Sequence, residues 1–493
     1  MKLRVKDVDL STGGPLIAIL NEEDSSKLDL HPLDRIRLTK GKKSVVTGIN
    51  IAKNHSIRPG EIGLFEEVLH KLNIGHNYLI NIDIESRPAS VRYIKRKLDG
   101  HRLSEKEINI IVKDVVDNEL TEVELTYFVS GCYSKGLNLQ EIIALTKAIA
   151  ENGDQLKLDG KIIVDKHSSG GTPGNRTTMV VVPIVAAAGL TIPKTSSRAI
   201  TSAAGTSDVM EVLAKVSFPV NEIKKIVKKT NACMVWSGTM GLASADDKFI
   251  KIEHPLRLDP TGILISSIMA KKKAVNATHV LIDIPWGIGA KIKTKKRALL
   301  LRKLFLKVGR KLGIKVDVML SDGSQPIGNG IGPALEARDV LWILTNNEKG
   351  PKDLRDKSIY IAGKILKLAG KGDEKVARKI LDSGAAYEKM KEIIKAQEGD
   401  PNIKPEKIKI GSYSFDVEAK TNGIFNGYRS KALAKLARIA GAPASKESGV
   451  FLHHHKGERV RKGEKLFTIY SDNSRRLEYA IKLLTEEEVT EFE

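Results

Sequence analysis

The stretch from Lys161 to Glu211, KIIVDKHSSGGTPGNRTTMVVVPIVAAAGLTIPKTSSRAITSAAGTSDVME, limits what the rest of this chain can fold into. It reads as a strand over Lys161–Val164, a polar glycine-rich loop, an apolar helix, a short strand, and a second polar loop that opens a helix. Strand–helix–strand order belongs to a parallel α/β unit. Each loop carries small hydroxyl residues, glycine and a cation. That combination supplies many hydrogen-bond donors with little bulk and leaves backbone N–H groups free to point at an anion, as a phosphorylated sugar requires. The apolar run Met179–Leu190 is short and contains Pro183, so it is not read as a membrane span.

A chain of 493 residues exceeds what one hydrophobic core organises. Its 41% hydrophobic and 29% charged residues fit a soluble globular protein. The start, MKLRVKDVDL, has no apolar h-region and is not read as a signal peptide. Cys132 and Cys233 form no CxxC pair, which points to a reducing cytoplasm and away from disulfides or structural zinc. The net charge of +21 admits an anionic partner, nucleic acid or phosphorylated metabolites, or simply a lysine-rich solvated surface, because the lysines are spread along the whole chain. A nucleic-acid module would need aromatics beside its basic patches, and aromatic content is 5%.

The fold class expected is α/β multidomain. Residues 1–86 alternate apolar and polar with period two between turn signals, and predict a small β-barrel. Within them, LNEEDSSKLDLHPLDRIRL resembles the double-psi barrel at the front of some AAA-type ATPases. Residues 87–160 switch to helical periodicity. Capping boxes at Ser104…Glu107, Thr121…Glu124 and Asn138…Glu141 open three amphipathic helices of a helical subdomain. Residues 161–401 alternate strands with helices and predict a mainly parallel sheet, whose ligands sit beyond the carboxyl ends of its strands. Val376–Gln397 reads as one helix. Residues 402–493 return to short strands around helix Arg429–Ile439, a C-terminal α+β domain. His453–His455 read as a strand end with exposed imidazoles rather than a metal site, since no carboxylate or thiol stands at ligand spacing.

DKHSSGG at 165–171 followed by SSRAITSAAGTSDVME at 196–211 closely resembles the signature of the thymidine/pyrimidine-nucleoside phosphorylase family (nucleoside phosphorylase-II). The resemblance runs from the capped helices through PIGNGIGPALEARDVL to KGERVRKGEKLF, roughly residues 87–493. The added N-terminal β domain makes the chain similar to the archaeal AMP-phosphorylase branch. The implied reaction is phosphorolysis of a nucleoside 5′-monophosphate, giving adenine and ribose 1,5-bisphosphate from AMP, with CMP and UMP as further candidates. A nucleoside-acting enzyme and anthranilate phosphoribosyltransferase are the alternatives; the latter shares the fold but works on a magnesium-bound diphosphate.

The resemblance assigns the attacking phosphate to Lys166, Ser168, Thr178 and Ser196. It assigns the nucleotide to Gly171, Ser197, Arg198, Ala199, Ile200, Thr201, Ser202, Thr206, Arg257, Ser267, Lys271 and Lys291. Where ordinary members carry glycines and a histidine, this chain has Ala199 to Ala204, a loop richer in hydroxyls and suited to a second phosphate. Ser267 and Lys271 stand four apart on a predicted helix and share a face. Asp259 corresponds to the proton donor that would meet the departing base. Its local reading is different: Asp259-Pro260 has the pattern of an N-cap followed by proline at the first helical position. His167 is read as orienting the loop, and Asp208 and Glu211 as first-turn helix carboxylates. No metal or cofactor is expected; inorganic phosphate is a co-substrate. The expected partners are nucleotide and phosphate, with no nucleic acid and no membrane. The resemblance also implies a homodimer or higher homo-oligomer and a cleft that closes between helical and α/β domains.

Overall fold

The computed structural model describes residues 1–53, 56–158, 160–199, 202–241, 243–256 and 258–492. The chain forms two compact units: Met1–Gly153 with Ser244–Ser267, and Asp154–Ala243 with Ile268–Glu493. Among the described residues no helix is long and apolar enough to cross a membrane.

The first unit begins with β1 (Lys2–Asp7), β2 (Ile17–Asn21), β3 (Arg35–Lys40), β4 (Lys43–Ala52), β5 (Glu61–Leu64) and β6 (Leu79–Ile84). Short helices α1 (Glu22–Lys27) and α2 (Glu66–Leu72) connect them. The strands close a barrel in the order β1-β5-β2-β4-β3-β6. Period-two alternation turns Leu3, Leu20, Ile36, Leu38, Ile62 and Ile80 into one buried cluster. Closure depends on parallel pairing of β1 with β5 and of β2 with β4, which alternation alone does not announce.

Four helices follow: α3 (Ala89–Leu98), α4 (Glu105–Asp117), α5 (Glu122–Lys135) and α6 (Leu139–Glu151). All three expected capping boxes are formed, by Ser104, Thr121 and Asn138. Glu141 does more than cap. Its Oε2 accepts from the Asn138 amide at 2.8 Å, while Oε1 accepts from Lys97 Nζ at 2.8 Å and from the Leu103 amide at 3.0 Å. One buried carboxylate thereby ties α3, the entry to α4, and α6. Removing one partner of such a buried pair leaves an uncompensated charge. Glu141→Ala is therefore expected to lower the stability of the helical bundle by about 3–5 kcal/mol, read from its urea unfolding transition.

The second unit opens with β7 (Val164–Ser168), α7 (Thr177–Ala187), β8 (Ile192–Ser196), α8 (Thr206–Met210), α9 (Val220–Thr230) and β9 (Ala232–Trp236). The first strand starts three residues later than the sequence suggests. Asp165, Lys166 and His167 look like loop residues, yet they form the strand, and the side chains of Asp165 and Lys166 find partners inside the protein. Helix α7 is apolar on every side and lies wholly in the core.

The chain then returns to the first unit. Helix α10 (Ser244–Glu253) rests there through Phe249, whose ring centroid lies 5.7 Å from that of Phe128, and through Lys248, which donates to Asn118 Oδ1 at 2.8 Å. Residues 244–267 thus belong with the helical bundle and not with the α/β domain to which strand–helix alternation assigns them. Helix α11 (Thr261–Ala274) carries the chain back.

Next come β10 (His279–Trp286), α12 (Lys295–Lys311), β11 (Lys315–Asp322), β12 (Gly330–Ile331), α13 (Pro333–Leu344), α14 (Lys352–Leu368), α15 (Glu374–Asp382) and α16 (Ala385–Ala396). The single helix expected over Val376–Gln397 is broken at Gly384, whose φ of +79° no helix interior accepts. Strands β11, β10 and β7 form one parallel ribbon and β8 with β9 another, joined by a parallel bridge between Ile163 and Thr191. The connection from β7 leads toward β8, and that from β10 leads toward β11. The direction in which the connections run across the sheet therefore reverses between the parallel neighbours β7 and β10, the position where open α/β sheets bind ligands.

The C-terminal part contains β13 (Tyr413–Glu418), β14 (Gly423–Tyr428), α17 (Ser430–Ala440), β15 (Gly449–Leu452), β16 (Arg459–Val460), β17 (Lys465–Ser471), α18 (Ser474–Glu486) and β18 (Thr490–Phe492). These pack around Phe425, Tyr428, Leu433 and Phe467. The three histidines after β15 are used separately. His453 meets Thr468 Oγ1 at 2.8 Å, His455 meets Asn329 Oδ1 at 2.8 Å, and His454 meets Glu458 at 2.9 Å, a carboxylate the spacing argument overlooks.

Candidate active site

At the reversal point the loops after β7 and β10 touch. Gly171 has φ +97°, and a Cβ there would stand 2.4 Å from the Lys291 amide nitrogen. Only glycine permits this approach, so Gly171 and Lys291, expected together at the nucleotide, are brought together by backbone packing.

Lys166 lies within β7 and is 2% exposed. Its Nζ donates to Thr177 Oγ1 at 2.8 Å and Thr178 Oγ1 at 3.2 Å, at the start of α7. Both acceptors are neutral. Burial pushes the Lys166 ammonium down to about 8; Asp283 pulls it upward, while Lys357 and Arg176 push it further down. Ser168 ends the same strand, and its Oγ accepts from the Gly170 amide at 3.4 Å. The buried hydroxyls Ser169 Oγ and Thr172 Oγ1, in the same loop, have no hydrogen-bond partner. A loop with surplus donors around a buried cation is arranged for an anion.

Behind Lys166 lies a second set of charges. Asp165 is fully buried and pairs with Lys272 of α11, with Lys194 of β8 at 3.9 Å. Burial, reinforced by Lys272, brings the Lys194 ammonium down to about 7. The same burial, with Lys272 and Lys194 adding, holds the His167 imidazolium well below its ordinary range, so that ring is neutral. A ring held in this way is a poor acceptor of protons at neutral pH.

The second loop is held by its own carboxylate. Asp208 Oδ2 accepts from the Ala199 amide at 2.7 Å and the Gly205 amide at 2.8 Å, closing the loop over the start of α8. A Cβ on Gly205 would meet Ala199 N and Ser197 O at 2.6 Å. Ser196 Oγ shares a hydrogen bond with Ser207 Oγ at 2.9 Å. Arg198 donates to Glu211 Oε2 at 2.6 Å and Asp208 Oδ1 at 3.3 Å, with its guanidinium 4.8 Å from the Trp236 ring centroid. Glu211 stands at the end of α8, not in its first turn. It accepts from Lys446 Nζ at 2.6 Å as well, and the Arg198 bond holds its carboxyl at about 2.

Ile200, Thr201 and Arg257 lie outside the described residues. Ser202 is exposed, and its Oγ donates to Ala204 O at 3.1 Å. Ser267 and Lys271 both sit on α11, four residues apart; Ser267 Oγ donates to Asp246 Oδ2 at 2.8 Å. Asp259 and Ser267 belong to the first unit and Lys271 to the second. The N-cap reading of Asp259 is corrected. The Pro260 carbonyl accepts the first helical bond, from the Leu264 amide at 2.9 Å, so Pro260 occupies the cap position and Asp259 precedes it.

Sequence reasoning missed Arg176 and Glu336. Arg176 follows the glycine loop and donates to Glu336, to Thr206 Oγ1 at 3.0 Å and to Ala204 O at 2.9 Å. Its partners lie 28 to 160 residues away, so no local signal marks it.

The helical bundle domain of the glycosyl transferase family matches residues 91–153, and the a/b domain of that family matches residues 160–387. The pyrimidine nucleoside phosphorylase C-terminal domain matches residues 426–490. Anthranilate phosphoribosyltransferase from Thermus thermophilus superposes with a TM-score of 0.53 at 18% identity, covering 62% of this chain and 99% of its own, a likeness of fold. Fold and site define a multidomain glycosyltransferase. The AMP phosphorylase of Thermococcus kodakarensis is 47% identical over 98% of this chain and 96% of its own length. That of Pyrococcus furiosus is 45% identical over the same shares, and that of Methanocaldococcus jannaschii 42% over 98% and 95%. The chain belongs to the AMP phosphorylase family.

The buried ammonium makes a direct prediction. A lysine whose folded pKa lies below its unfolded value penalises folding at all pH values beneath the lowered pKa; the penalty fades as pH rises from about 8 toward 10.5. Lys166→Met is thus expected to stabilise the phosphate-free protein by roughly 1–3 kcal/mol at neutral pH, measured by urea unfolding. The same variant is expected to lose phosphate use, measured as the dependence of rate on phosphate.

Proposed function

We propose that the chain phosphorolyses nucleoside 5′-monophosphates, converting AMP and inorganic phosphate into adenine and ribose 1,5-bisphosphate, with CMP and UMP as further substrates. A phosphate oxygen forms the new bond to C1′ as the bond from C1′ to the base nitrogen breaks. The electron pair of that bond leaves with the base, which takes a proton. The observation that carries this reading is the Lys166 ammonium, buried at the reversal point and bonded through its side chain to neutral hydroxyls. An arriving phosphate supplies the counter-charge that the protein withholds, and its position under C1′ stabilises the oxocarbenium-like state.

In this reading Lys166, Ser168, Thr178 and Ser196 hold the attacking phosphate. Gly171, the 197–202 loop, Thr206 and Lys291 hold the ribose and its 5′-phosphate. Arg198 takes part alongside its bonds to Glu211 and Asp208, since a guanidinium has five N–H donors. Ser267, Lys271 and Arg257 contact the base, and Asp259 donates the proton to it. No step calls for a metal or organic cofactor. Two buried free cysteines support a reducing cytoplasmic setting. Exposed Val123, Tyr127 and Tyr133 on α5 support assembly with further copies of the chain.

A second reading, phosphorolysis of pyrimidine nucleosides, is favoured by the match of the C-terminal domain. One assay decides between them: AMP, CMP, UMP, adenosine and thymidine are each offered with phosphate, and free base is measured. Base released from AMP is the expected result. Release from adenosine or thymidine with none from AMP would overturn the proposal. Asp259→Asn is expected to lower kcat by about 10²–10⁴ while AMP still binds; an unchanged kcat removes Asp259 as the proton donor.

A further inference from the structure

Arg176 sits between the loop that follows β7 and the loop that follows β8. It is the residue immediately before Thr177 and Thr178, the hydroxyls that receive Lys166 Nζ. Its guanidinium is divided among three acceptors on two segments, α13 and the stretch 204–206. Nε goes to the Glu336 carboxylate on α13, one terminal nitrogen to Thr206 Oγ1 at 3.0 Å, and the other to Ala204 O at 2.9 Å. Glu336 is 1% exposed and also accepts from the Gly332 amide at 3.0 Å, so the acceptor that orients the guanidinium is itself fixed. The second loop is closed by Asp208 at its start and start of helix, through Ala199 and Gly205. Between those two amides, Arg176 holds the Ala204 carbonyl, and just past Gly205 it holds the Thr206 hydroxyl.

We propose that Arg176, oriented by Glu336, is the positioning residue that sets Thr206 and the nucleotide loop in register with the phosphate loop. The proposal rests on the reading of the second loop as the nucleotide site. A planar guanidinium with five donors in a fixed fork can hold the Glu336 carboxylate, Ala204 O and Thr206 Oγ1 at once in one orientation, whereas a lysine ammonium offers three freely rotating donors from a single atom and cannot span all three positions. Thr206 Oγ1 accepts from Arg176, so its own hydrogen is left to be donated to an oxygen of the substrate. Arg176 therefore fixes both where that hydroxyl stands and what it offers. Its effect belongs to substrate binding and not to the bond-breaking step.

The test is steady-state kinetics on AMP and phosphate for the wild type, Arg176→Lys, Thr206→Val and the double variant. The expected result is a KM for AMP raised about tenfold in Arg176→Lys with kcat changed less than about twofold, a pattern of lost binding and not of lost chemistry. Thr206→Val is expected to show a similar loss, and the double variant little more than either single one, because both act through one hydroxyl. Multiplying losses in the double variant, or an unaltered KM in a folded Arg176→Lys, overturns the proposal. Should Arg176→Lys fail to fold, Glu336→Gln takes its place: it keeps an acceptor for Gly332 and removes the charge that orients the fork, and the same rise in KM is expected. Wild-type protein that releases no adenine from AMP would sink the functional reading itself and this proposal with it. Activity on AMP with an unchanged Arg176→Lys sinks this proposal alone.

Discussion

A lysine ammonium placed inside a parallel sheet gives up several kcal/mol of hydration, and a structure tolerates that only if something else requires it. Here Lys166 on β7, Lys194 on β8 and Lys272 on helix α11 are all buried close to one carboxylate, Asp165. Asp165 is committed to Lys272 and, at longer range, to Lys194, which leaves Lys166 with two threonine hydroxyls. The imbalance is local and positive. Burial, with the neighbouring cations adding to it, holds the ammonium groups of Lys166 and Lys194 and the imidazolium of His167 below their ordinary ranges, and the Ser169 and Thr172 hydroxyls of the adjoining loop stand buried without partners. The loop runs into α7, whose residues from Thr177 to Ala186 are buried.

The loops around this charge are shaped by carboxylates that accept backbone amides. Asp208 takes Ala199 and Gly205, Glu336 takes Gly332, and Asp339 takes Asn329 and Gly330 at 2.7 Å each. Glycine recurs at these positions because the neighbouring backbone comes too close for a side chain. A Cβ on Gly330 would stand 2.4 Å from the Leu335 carbonyl carbon. Rigid loops of this kind bring donors to a phosphate without the entropy cost of ordering long side chains.

What could be read from the sequence was local. The three capping boxes were legible because cap and partner are three residues apart. The barrel was legible as alternation, but its parallel closures were not. The residues proposed to hold phosphate are marked by the family motif, yet the sequence reads Lys166 as a loop residue where the structure has it within β7. Its strand is made acceptable by Lys272, 107 residues after the paired Asp165. Arg176 was invisible for the same reason, as were residues 244–267, whose place in the helical bundle is decided by Phe128 and Asn118. The cap of α11 is likewise not legible: Asp259-Pro260 has the pattern of an N-cap followed by proline, but the Pro260 carbonyl accepts the first helical bond.

The central claim is that Lys166 waits in a poorly solvated site for the charge of phosphate. If so, phosphate binding must raise the ammonium's pKa and draw a proton from solvent. Calorimetric titration of phosphate into nucleotide-free protein, repeated in buffers of different ionisation enthalpy, measures that proton. Uptake that is small at neutral pH and grows as pH passes about 8 is the predicted result. Phosphate binding with no proton uptake above that pH would contradict the account.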